Sequence, residues 1–264
     1  MKELNQKIVW ITGASGGIGK ELAVQLARKG ARIILTARSQ DKLNAVKDSL
    51  EGPEHWVYPM DLLEVDLIPA FAKKVIGQVG KVDILINNAG ISQRSLARDT
   101  SIKVDRKIME LDFFAAVALT KAVLPQMLER KEGHLVAISS VAGKFGPPMR
   151  TAYAAAKHAI IGFMDSLRAE IQEDQIKVLV VTPGSVRTDI SVNALEGDGQ
   201  QHNEVDPLIA NGMPVEECAA KIVKGIERNT PELLIARGKT KLAVYLRRFF
   251  PRLLFKMIAK AQAT

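Results

Sequence analysis

Tyr153 and Lys157 lie four residues apart in a segment with helical periodicity, so on a helix they would share one face. A tyrosine hydroxyl has an ordinary pKa of ~10, and a nearby ammonium would stabilise the tyrosinate and lower that pKa. Such a pair could exchange a proton with a substrate oxygen near neutral pH. Ser139 and Ser140 end an upstream apolar run and add hydroxyls. The four-residue spacing alone is common on protein surfaces, so its meaning depends on the surrounding elements.

A glycine-rich segment, residues 12–19, lies between the first apolar run and the first amphipathic segment. Glycines there allow a tight turn and let a pyrophosphate approach the backbone at a helix N-terminus. A plain strand-to-helix connection would use glycines too, but this position favours nucleotide binding.

The next apolar run ends at Arg38, and no acidic residue appears before Asp41. An acid at this place would hold the ribose 2′-hydroxyl of NAD, whereas an arginine favours the 2′-phosphate of NADP. Arg38 could instead be a solvated loop residue. The absence of an acid is stronger evidence for NADP than the presence of Arg38. Ser15 adds a hydroxyl that could bind the phosphate, so the sequence predicts NADP(H) as the cofactor.

Short runs rich in Val, Ile and Leu alternate with amphipathic segments along the chain. The predicted strands are 7–12, 31–37, 55–59, 82–87, 133–139, 176–182 and 232–236, and the predicted helices are 18–29, 40–50, 65–78, 104–130, 151–173 and 214–229. This alternation predicts an α/β fold, a Rossmann-type doubly wound parallel sheet of about seven strands with helices on both faces. Ligands of such sheets bind at the carboxyl ends of the strands.

The chain shows no internal repeat and no linker, so we expect one domain over residues 1–264. Its longest irregular stretch, residues 189–212, is rich in Gly, Asn, Asp and Gln and is a candidate substrate lid. Cys218 is the only cysteine, which fits a reducing compartment. No signal-type or membrane-spanning apolar run occurs, so we expect a cytoplasmic protein, at most peripheral to a membrane. The four histidines show no ligand spacing, so we predict no metal.

The C-terminal residues 238–264 form a basic amphipathic extension. No acidic residue follows Glu232, and the eight Lys and Arg beyond it equal the whole net charge of +8. The rest of the chain is therefore balanced, and general nucleic-acid binding is not predicted. Pro251 divides the extension into two pieces. Its apolar face could lie in a membrane interface, or pack on the body or on a partner subunit.

The glycine loop reads T-G-x-x-x-G-x-G, with glycines at 13, 17 and 19. This pattern resembles the short-chain dehydrogenase/reductase family rather than the common G-x-G-x-x-G fingerprint. Further family motifs follow in the same order, over about residues 7–236: Asp61, Asn87-Asn88-Ala89-Gly90, Ser140, Tyr153 with Lys157, and Pro183-Gly184-x-Val186-x-Thr188.

The resemblance implies hydride transfer between a nicotinamide and a carbonyl or secondary alcohol. In the family the serine thirteen residues before the tyrosine holds the substrate oxygen, which selects Ser140. Tyr153 would be the acid/base and Lys157 would support it and hold the nicotinamide ribose. The family's fourth catalytic residue is an asparagine, and Asp112 stands at its place. An ionised aspartate cannot donate a hydrogen bond, so the family's water relay would be retuned or weakened here.

The resemblance also implies cofactor contacts along the loop and at the strand ends. They are Gly13, Ser15, Gly17, Ile18, Gly19, Arg38, Asp61, Leu62, Asn88, Ala89, Gly90, Tyr153, Lys157, Pro183, Gly184, Val186 and Thr188. Relatives commonly pair the two long helices across a dimer interface, so a homodimer or homotetramer is expected.

The substrate is expected to be a small carbonyl or alcohol, apolar or lipid-like. An apolar pocket could be lined by Phe145, Met149, Ile190, Val192 and Leu195, which could equally be ordinary packing under a loop. The alternative function is a non-catalytic nucleotide-binding interaction module on the same fold, for which Asp112 is the only support.

Overall fold

The computed structural model describes residues 4–52 and 54–261, and over these the predicted parallel sheet is present. Its strands are β1 (Ile8–Thr12), β2 (Arg32–Thr36), β3 (Trp56–Val57), β4 (Ile84–Asn87), β5 (Gly133–Ile138), β6 (Ile176–Pro183) and β7 (Glu232–Ile235). All six neighbouring pairs are parallel, in the order β3-β2-β1-β4-β5-β6-β7. The order therefore reverses between β1 and β4, which places a ligand crevice at the carboxyl end of β1.

The helices flank this sheet on both faces. They are α1 (Gly17–Ala27), α2 (Gln40–Asp48), α3 (Ile68–Val79), α4 (Ile102–Met109), α5 (Ala115–Arg130), α6 (Thr151–Glu170), α7 (Pro207–Ala210), α8 (Val215–Glu227), α9 (Gly238–Phe249) and α10 (Pro251–Ala261). Buried side chains of α1, α2 and α8 form one hydrophobic layer, and those of α3, α5 and α6 form the other. The predicted doubly wound fold is confirmed.

The strands are buried on both faces because each contributes alternate residues to the two layers. In β1, Val9 and Ile11 face the α1/α8 layer, while Ile8 and Trp10 face the α3/α5 layer. This double burial explains why the strands read as continuous apolar runs rather than as alternating patterns.

The predicted helix over residues 104–130 is wrong in one respect, since it is not a single α-helix. A π-helical turn, Glu110–Phe114, joins α4 to α5 and adds one residue to the local turn. Asp112 lies on this turn and is buried. The predicted strand over 55–59 is also shortened, to the two residues of β3.

The candidate lid, residues 189–212, is less irregular than the sequence suggests. It contains α7, and Leu195 pairs in parallel with Gln93 and in antiparallel with Gln201. Ser191, Ala194 and Leu195 are buried, so this segment packs on the body. In the extension, Pro251 separates α9 from α10, and residues 262–264 lie outside the described residues.

Candidate active site

The glycine loop is shaped by contacts that leave no room for side chains. Gly13 and Gly17 have positive φ angles of 64° and 51°, which L side chains rarely adopt. A Cβ on Gly19 would stand 2.4 Å from the carbonyl oxygen of Gly13 and 2.5 Å from Nδ2 of Asn88. Glycines are therefore needed at these spacings, because the loop lies very close to the first turn of α1.

Asn88, just beyond β4, holds the glycine loop against the sheet through hydrogen bonds. Its Nδ2 donates to the carbonyl oxygens of Thr12 (2.9 Å) and Gly13 (3.3 Å). The Thr12 hydroxyl oxygen accepts from the backbone N–H groups of Asn88 (2.9 Å) and Ala89 (3.0 Å). The ends of β1 and β4 are thus joined at the point where the strand order reverses.

A cavity of about 530 Å³ lies along this edge of the sheet. Every residue assigned to the cofactor or to catalysis from the sequence lines it except Gly19, which lies beneath the loop. The sequence thus located one continuous cavity, whose glycine-loop end has the shape and the N–H groups to hold a dinucleotide.

One end of the cavity is cationic. Arg38 lines it together with Ser39 and Lys42, and Ser15 of the glycine loop also lines the cavity. Ser39 caps α2 by accepting from the backbone N–H of Lys42 at 3.4 Å, which places both residues at the start of that helix. Sequence reasoning missed Lys42, although its place in the first turn of the predicted helix that follows Arg38 was a usable signal.

Tyr153 and Lys157 share one face of α6, and both line the cavity. The Lys157 Nζ lies 5.6 Å from the centre of the Tyr153 ring. Ser140, just beyond β5, accepts through Oγ from the backbone N–H of Ala142 at 3.1 Å, so its hydroxyl hydrogen remains to be donated. Ser139 instead donates to the Lys157 carbonyl oxygen at 2.8 Å, a contact that ties β5 to α6.

Lys157 and Asp112 form a buried ion pair, with Nζ 3.1 Å from Oδ2. The other carboxylate oxygen, Oδ1, accepts from the backbone N–H of Ile91 at 2.8 Å. Lys157 also donates to the carbonyl oxygen of Ile138 at 3.2 Å. The π-helical turn therefore brings a carboxylate to the same ammonium that lies beside Tyr153.

Burial raises the pKa of the Asp112 carboxyl above its ordinary value, and the Lys157 ammonium opposes that rise. Burial alone would lower the pKa of Lys157, but the Asp112 carboxylate and Tyr153 together raise it above its ordinary value. Lys157 is therefore protonated at neutral pH.

A second ionic cluster joins the lid to the body. Asp206, at the N-terminus of α7, pairs with both Arg94 and Arg150. Burial, reinforced by the neighbouring Arg150, lowers the pKa of Arg94 to about 10, and burial also lowers the pKa of Arg150. Arg150 lines the cavity three residues before Tyr153. Sequence reasoning missed this cluster, because its members are separated by more than fifty residues.

The candidate lid lines the cavity with both apolar and polar side chains, Ile190, Leu195 and Ile209 beside Asp189, Asn193 and Gln201. Of the five apolar residues proposed from the sequence, Ile190 and Leu195 line this cavity. Met149 lines a separate surface depression instead. Phe145 and Val192 are not among the residues that line either site.

Outside the cavity, the structure bears on three other kinds of site: a reactive thiol, a metal centre and a membrane-spanning helix. Cys218 is buried on α8, and burial raises the pKa of its thiol to about 12. Within residues 4–52 and 54–261, no cluster of three or more His, Cys, Asp or Glu side chains is arranged to hold a metal ion. No helix in the same ranges is both long enough and apolar enough to cross a bilayer.

Comparison with known proteins agrees with this geometry. The family model for short chain dehydrogenase matches residues 7–199. This chain belongs to the short-chain dehydrogenase/reductase family. Members of this family are oxidoreductases that use a nicotinamide cofactor.

Among its relatives, a dehydrogenase/reductase SDR family protein 7-like of Drosophila melanogaster is 44% identical over 264 residues, covering 98% of this chain and 81% of the relative. A short-chain dehydrogenase/reductase of Burkholderia phymatum in complex with NAD has a TM-score of 0.84 at 22% identity, covering 96% of each chain. The closed form of a serine dehydrogenase complexed with NADP+ has a TM-score of 0.78 at 25% identity, covering 86% of this chain and 94% of that one. The fold is thus shared with members that bind either dinucleotide.

Proposed function

We propose that this family member is an NADP(H)-dependent oxidoreductase that transfers a hydride between the nicotinamide and an apolar carbonyl compound or secondary alcohol. The observation that carries the proposal is one cavity lined at one end by Arg38 and Lys42 and at the other by Ser140, Tyr153 and Lys157.

The choice of NADP(H) rests on the cationic end. Arg38, Ser39 and Lys42 line the cavity just beyond β2, and Ser15 of the glycine loop adds a second hydroxyl to the lining. A 2′-phosphate there would receive charge-assisted hydrogen bonds. Asp61 also lines the cavity, and its Oδ1 accepts from the backbone N–H of Leu63 at 3.1 Å. In this proposal Asp61 contacts the adenine, while the 2′-phosphate lies against Arg38.

The reaction needs a hydride, which the bound nicotinamide would supply or accept, and a proton, which the chain supplies. In the reductive direction the Tyr153 hydroxyl gives its proton to the substrate oxygen. The protonated Lys157 stabilises the resulting tyrosinate, and the Ser140 hydroxyl donates to the same substrate oxygen. Asp112 holds Lys157 in place and keeps it charged, so it acts as a positioning residue.

Three apolar side chains of the lid, Ile190, Leu195 and Ile209, line the cavity, and they support an apolar or lipid-like substrate. Burying such side chains against a hydrocarbon chain is favourable in proportion to the area removed from water. A panel of ketones of increasing chain length tests this: kcat/KM rises with chain length if these side chains bind the hydrocarbon, and falls if they do not.

Cofactor preference is tested by titrating the purified protein with NADPH and NADH, followed by fluorescence. NADPH binds more tightly, and the double variant Arg38→Ala/Lys42→Ala loses at least about tenfold in NADPH affinity, because charge-assisted hydrogen bonds are worth about 1.5–3 kcal/mol each. Its NADH affinity stays the same. A clear preference of the wild type for NADH would contradict the assignment of Arg38.

The role of Tyr153 is tested with Tyr153→Phe, which lowers kcat for ketone reduction by about 10³, within the range of general acid catalysis. NADPH affinity changes little, since the hydroxyl is the only group lost. Tyr58→Phe, at a tyrosine that does not line the cavity, is the matched control. Equal rates for Tyr153→Phe and wild type would remove Tyr153 from the mechanism. NADPH binding without turnover on a broad panel would favour the non-catalytic module.

We also propose that the protein works in the cytoplasm, which suits its single buried thiol, and that it assembles as a homodimer or homotetramer. Phe114, on the π-helical turn beside α5, leaves nearly half of its surface exposed. Burial of this ring against a second copy would stabilise the assembly. Sedimentation of wild type and Phe114→Ser tests this. The variant dissociates into monomers at a higher protein concentration than the wild type does. A monomeric wild type would contradict the proposal.

A further inference from the structure

Helices α9 and α10 carry a large exposed apolar surface, which we call the tail surface: Leu242, Tyr245, Phe249, Phe250, Leu253 and Met257. On α9, the spacing of Leu242, Tyr245 and Phe249 places them within about 60° of one another around the helix. On α10, Leu253 and Met257 lie one turn apart. Phe249 is 66% exposed and Phe250 63%, so two adjacent aromatic rings project from the junction of the two helices.

Cations border this apolar stripe. On α9, Lys241 and Arg248 follow one of its edges, and Lys239 lies beyond the other, as the helical repeat requires. The guanidinium of Arg247, on α9, lies 5.4 Å from the centre of the ring of Phe255, on α10, so the two helices are also joined by a cation–π contact. Because no acid occurs after Glu232, the border is positive throughout.

The tail surface starts beside the cavity. β7 leads directly into α9, and the backbone N–H of Gly184 donates to the carbonyl oxygen of Ile235 at 2.8 Å. A Cβ on Gly184 would stand 3.5 Å from the Thr240 side chain, in the first turn of α9. Gly184 lines the cavity, so α9 begins at the same edge of the sheet at which a substrate would enter.

We propose that the tail surface docks on an anionic lipid bilayer. Its apolar side chains enter the boundary between headgroups and acyl chains, while the bordering lysines and arginines contact lipid phosphates. The contact is peripheral, since no described helix is suited to spanning a bilayer.

Charge complementarity selects this occupant over two others. A second copy of the chain would bring the same cations against this face, and like charges at a contact oppose association. A nucleic acid would satisfy the cations but would offer no apolar region for Phe249, Phe250 and Leu253. An anionic bilayer satisfies both the cations and the apolar side chains.

This proposal goes beyond the oxidoreductase activity, because it concerns a surface that contributes nothing to the cavity lining. It is therefore tested by binding alone. The full-length protein is sedimented with vesicles of phosphatidylcholine and phosphatidylglycerol, and in parallel with vesicles of phosphatidylcholine only. Strong binding to the anionic vesicles, weakened by salt, is expected.

Two double variants separate the contributions. Lys241→Gln/Arg248→Gln lowers vesicle affinity by about fivefold for each charge removed. Phe249→Ser/Leu253→Ser lowers it by at least about tenfold, because two exposed apolar side chains no longer enter the bilayer. The matched controls are Lys73→Gln/Lys74→Gln and Leu67→Ser, which change exposed residues of the same types near α3 and leave binding unchanged.

Three results would overturn the proposal: equal binding to both kinds of vesicle, tail variants that behave like their controls, or binding of duplex DNA in preference to anionic vesicles. Concentration-dependent self-association that Phe249→Ser/Leu253→Ser abolishes, without vesicle binding, would assign the surface to a second copy instead. Unchanged NADPH affinity shows that each variant is folded. A failure to find any ketone substrate would leave the vesicle result standing.

Discussion

The two halves of the cavity are built in different ways. At the nucleotide half, backbone approaches backbone, and the contacts of Gly13, Gly19 and Asn88 exclude side chains. At the lid half, side chains from distant segments meet, and Asp206 joins Arg94 and Arg150. The first half is specified by a few adjacent residues, whereas the second depends on long-range pairing. We therefore expect the first to bind the cofactor rigidly and the second to control access of the substrate.

Among changes that compare the two halves, the largest effect is expected from Gly19→Ala. Its new Cβ would meet the Gly13 carbonyl oxygen at 2.4 Å, so the loop must move. Overpacking of this kind costs about 1–3 kcal/mol or more, and we expect NADPH affinity to fall by about a hundredfold. Gly77→Ala is the control, because a Cβ there meets nothing within 4 Å. Titration with NADPH checks this, and near-normal affinity would show that the loop is not held as tightly as its contacts imply.

The lid half is tested by Asp206→Asn, which leaves two guanidinium groups facing each other. Breaking a buried ion pair costs about 3–5 kcal/mol, but Arg94 and Arg150 retain 18% and 20% exposure, so a cost of about 2 kcal/mol is expected. Because substrate binding requires the docked lid in this proposal, KM for the ketone rises by up to about thirtyfold, while NADPH affinity stays within about twofold. Glu204→Gln, an exposed lid residue, is the control. If NADPH affinity fell as far as KM rose, the two halves would not be independent.

A smaller effect is expected where the two halves meet, at Asp112. Replacing it with asparagine removes the carboxylate that raises the pKa of Lys157, so burial lowers that pKa in the variant. Because the protonated Lys157 supports the reaction, the alkaline limb of the pH profile for ketone reduction moves down by about one unit. Glu110→Gln changes the same charge on the same turn and leaves the profile in place. An alkaline limb that does not move in Asp112→Asn would mean that Asp112 does not keep Lys157 charged.

The same contrast separates what could be predicted from the sequence from what could not. The positions of the glycine loop, Tyr153 and Lys157 at the cavity were predictable, because they are marked by spacings of a few residues and strand periodicity placed them at one sheet edge. Arg150 and its partners were not, since nothing local marks a side chain whose partner lies 56 residues away.

The π-helical turn and the ordered lid could not be predicted from the sequence either, because the conformation of each depends on several weak interactions. The π-helical turn inserts one residue into an otherwise helical pattern, and periodicity over a long window averages such an insertion away. The lid was expected to be irregular from its composition, yet backbone pairing of Leu195 with Gln93 and Gln201 orders it. Neither bridge has a sequence signature, and the bridge to Gln93 depends on where the rest of the chain places that residue.

Cys218 has a consequence for labelling. As the chain's single cysteine, buried and with its pKa raised to about 12, it would react slowly with thiol reagents at neutral pH. A cysteine introduced at an exposed site, such as Leu253→Cys, would therefore be modified selectively without removal of the native thiol. An environment-sensitive fluorophore attached there would report the polarity around α10 in the otherwise unaltered protein.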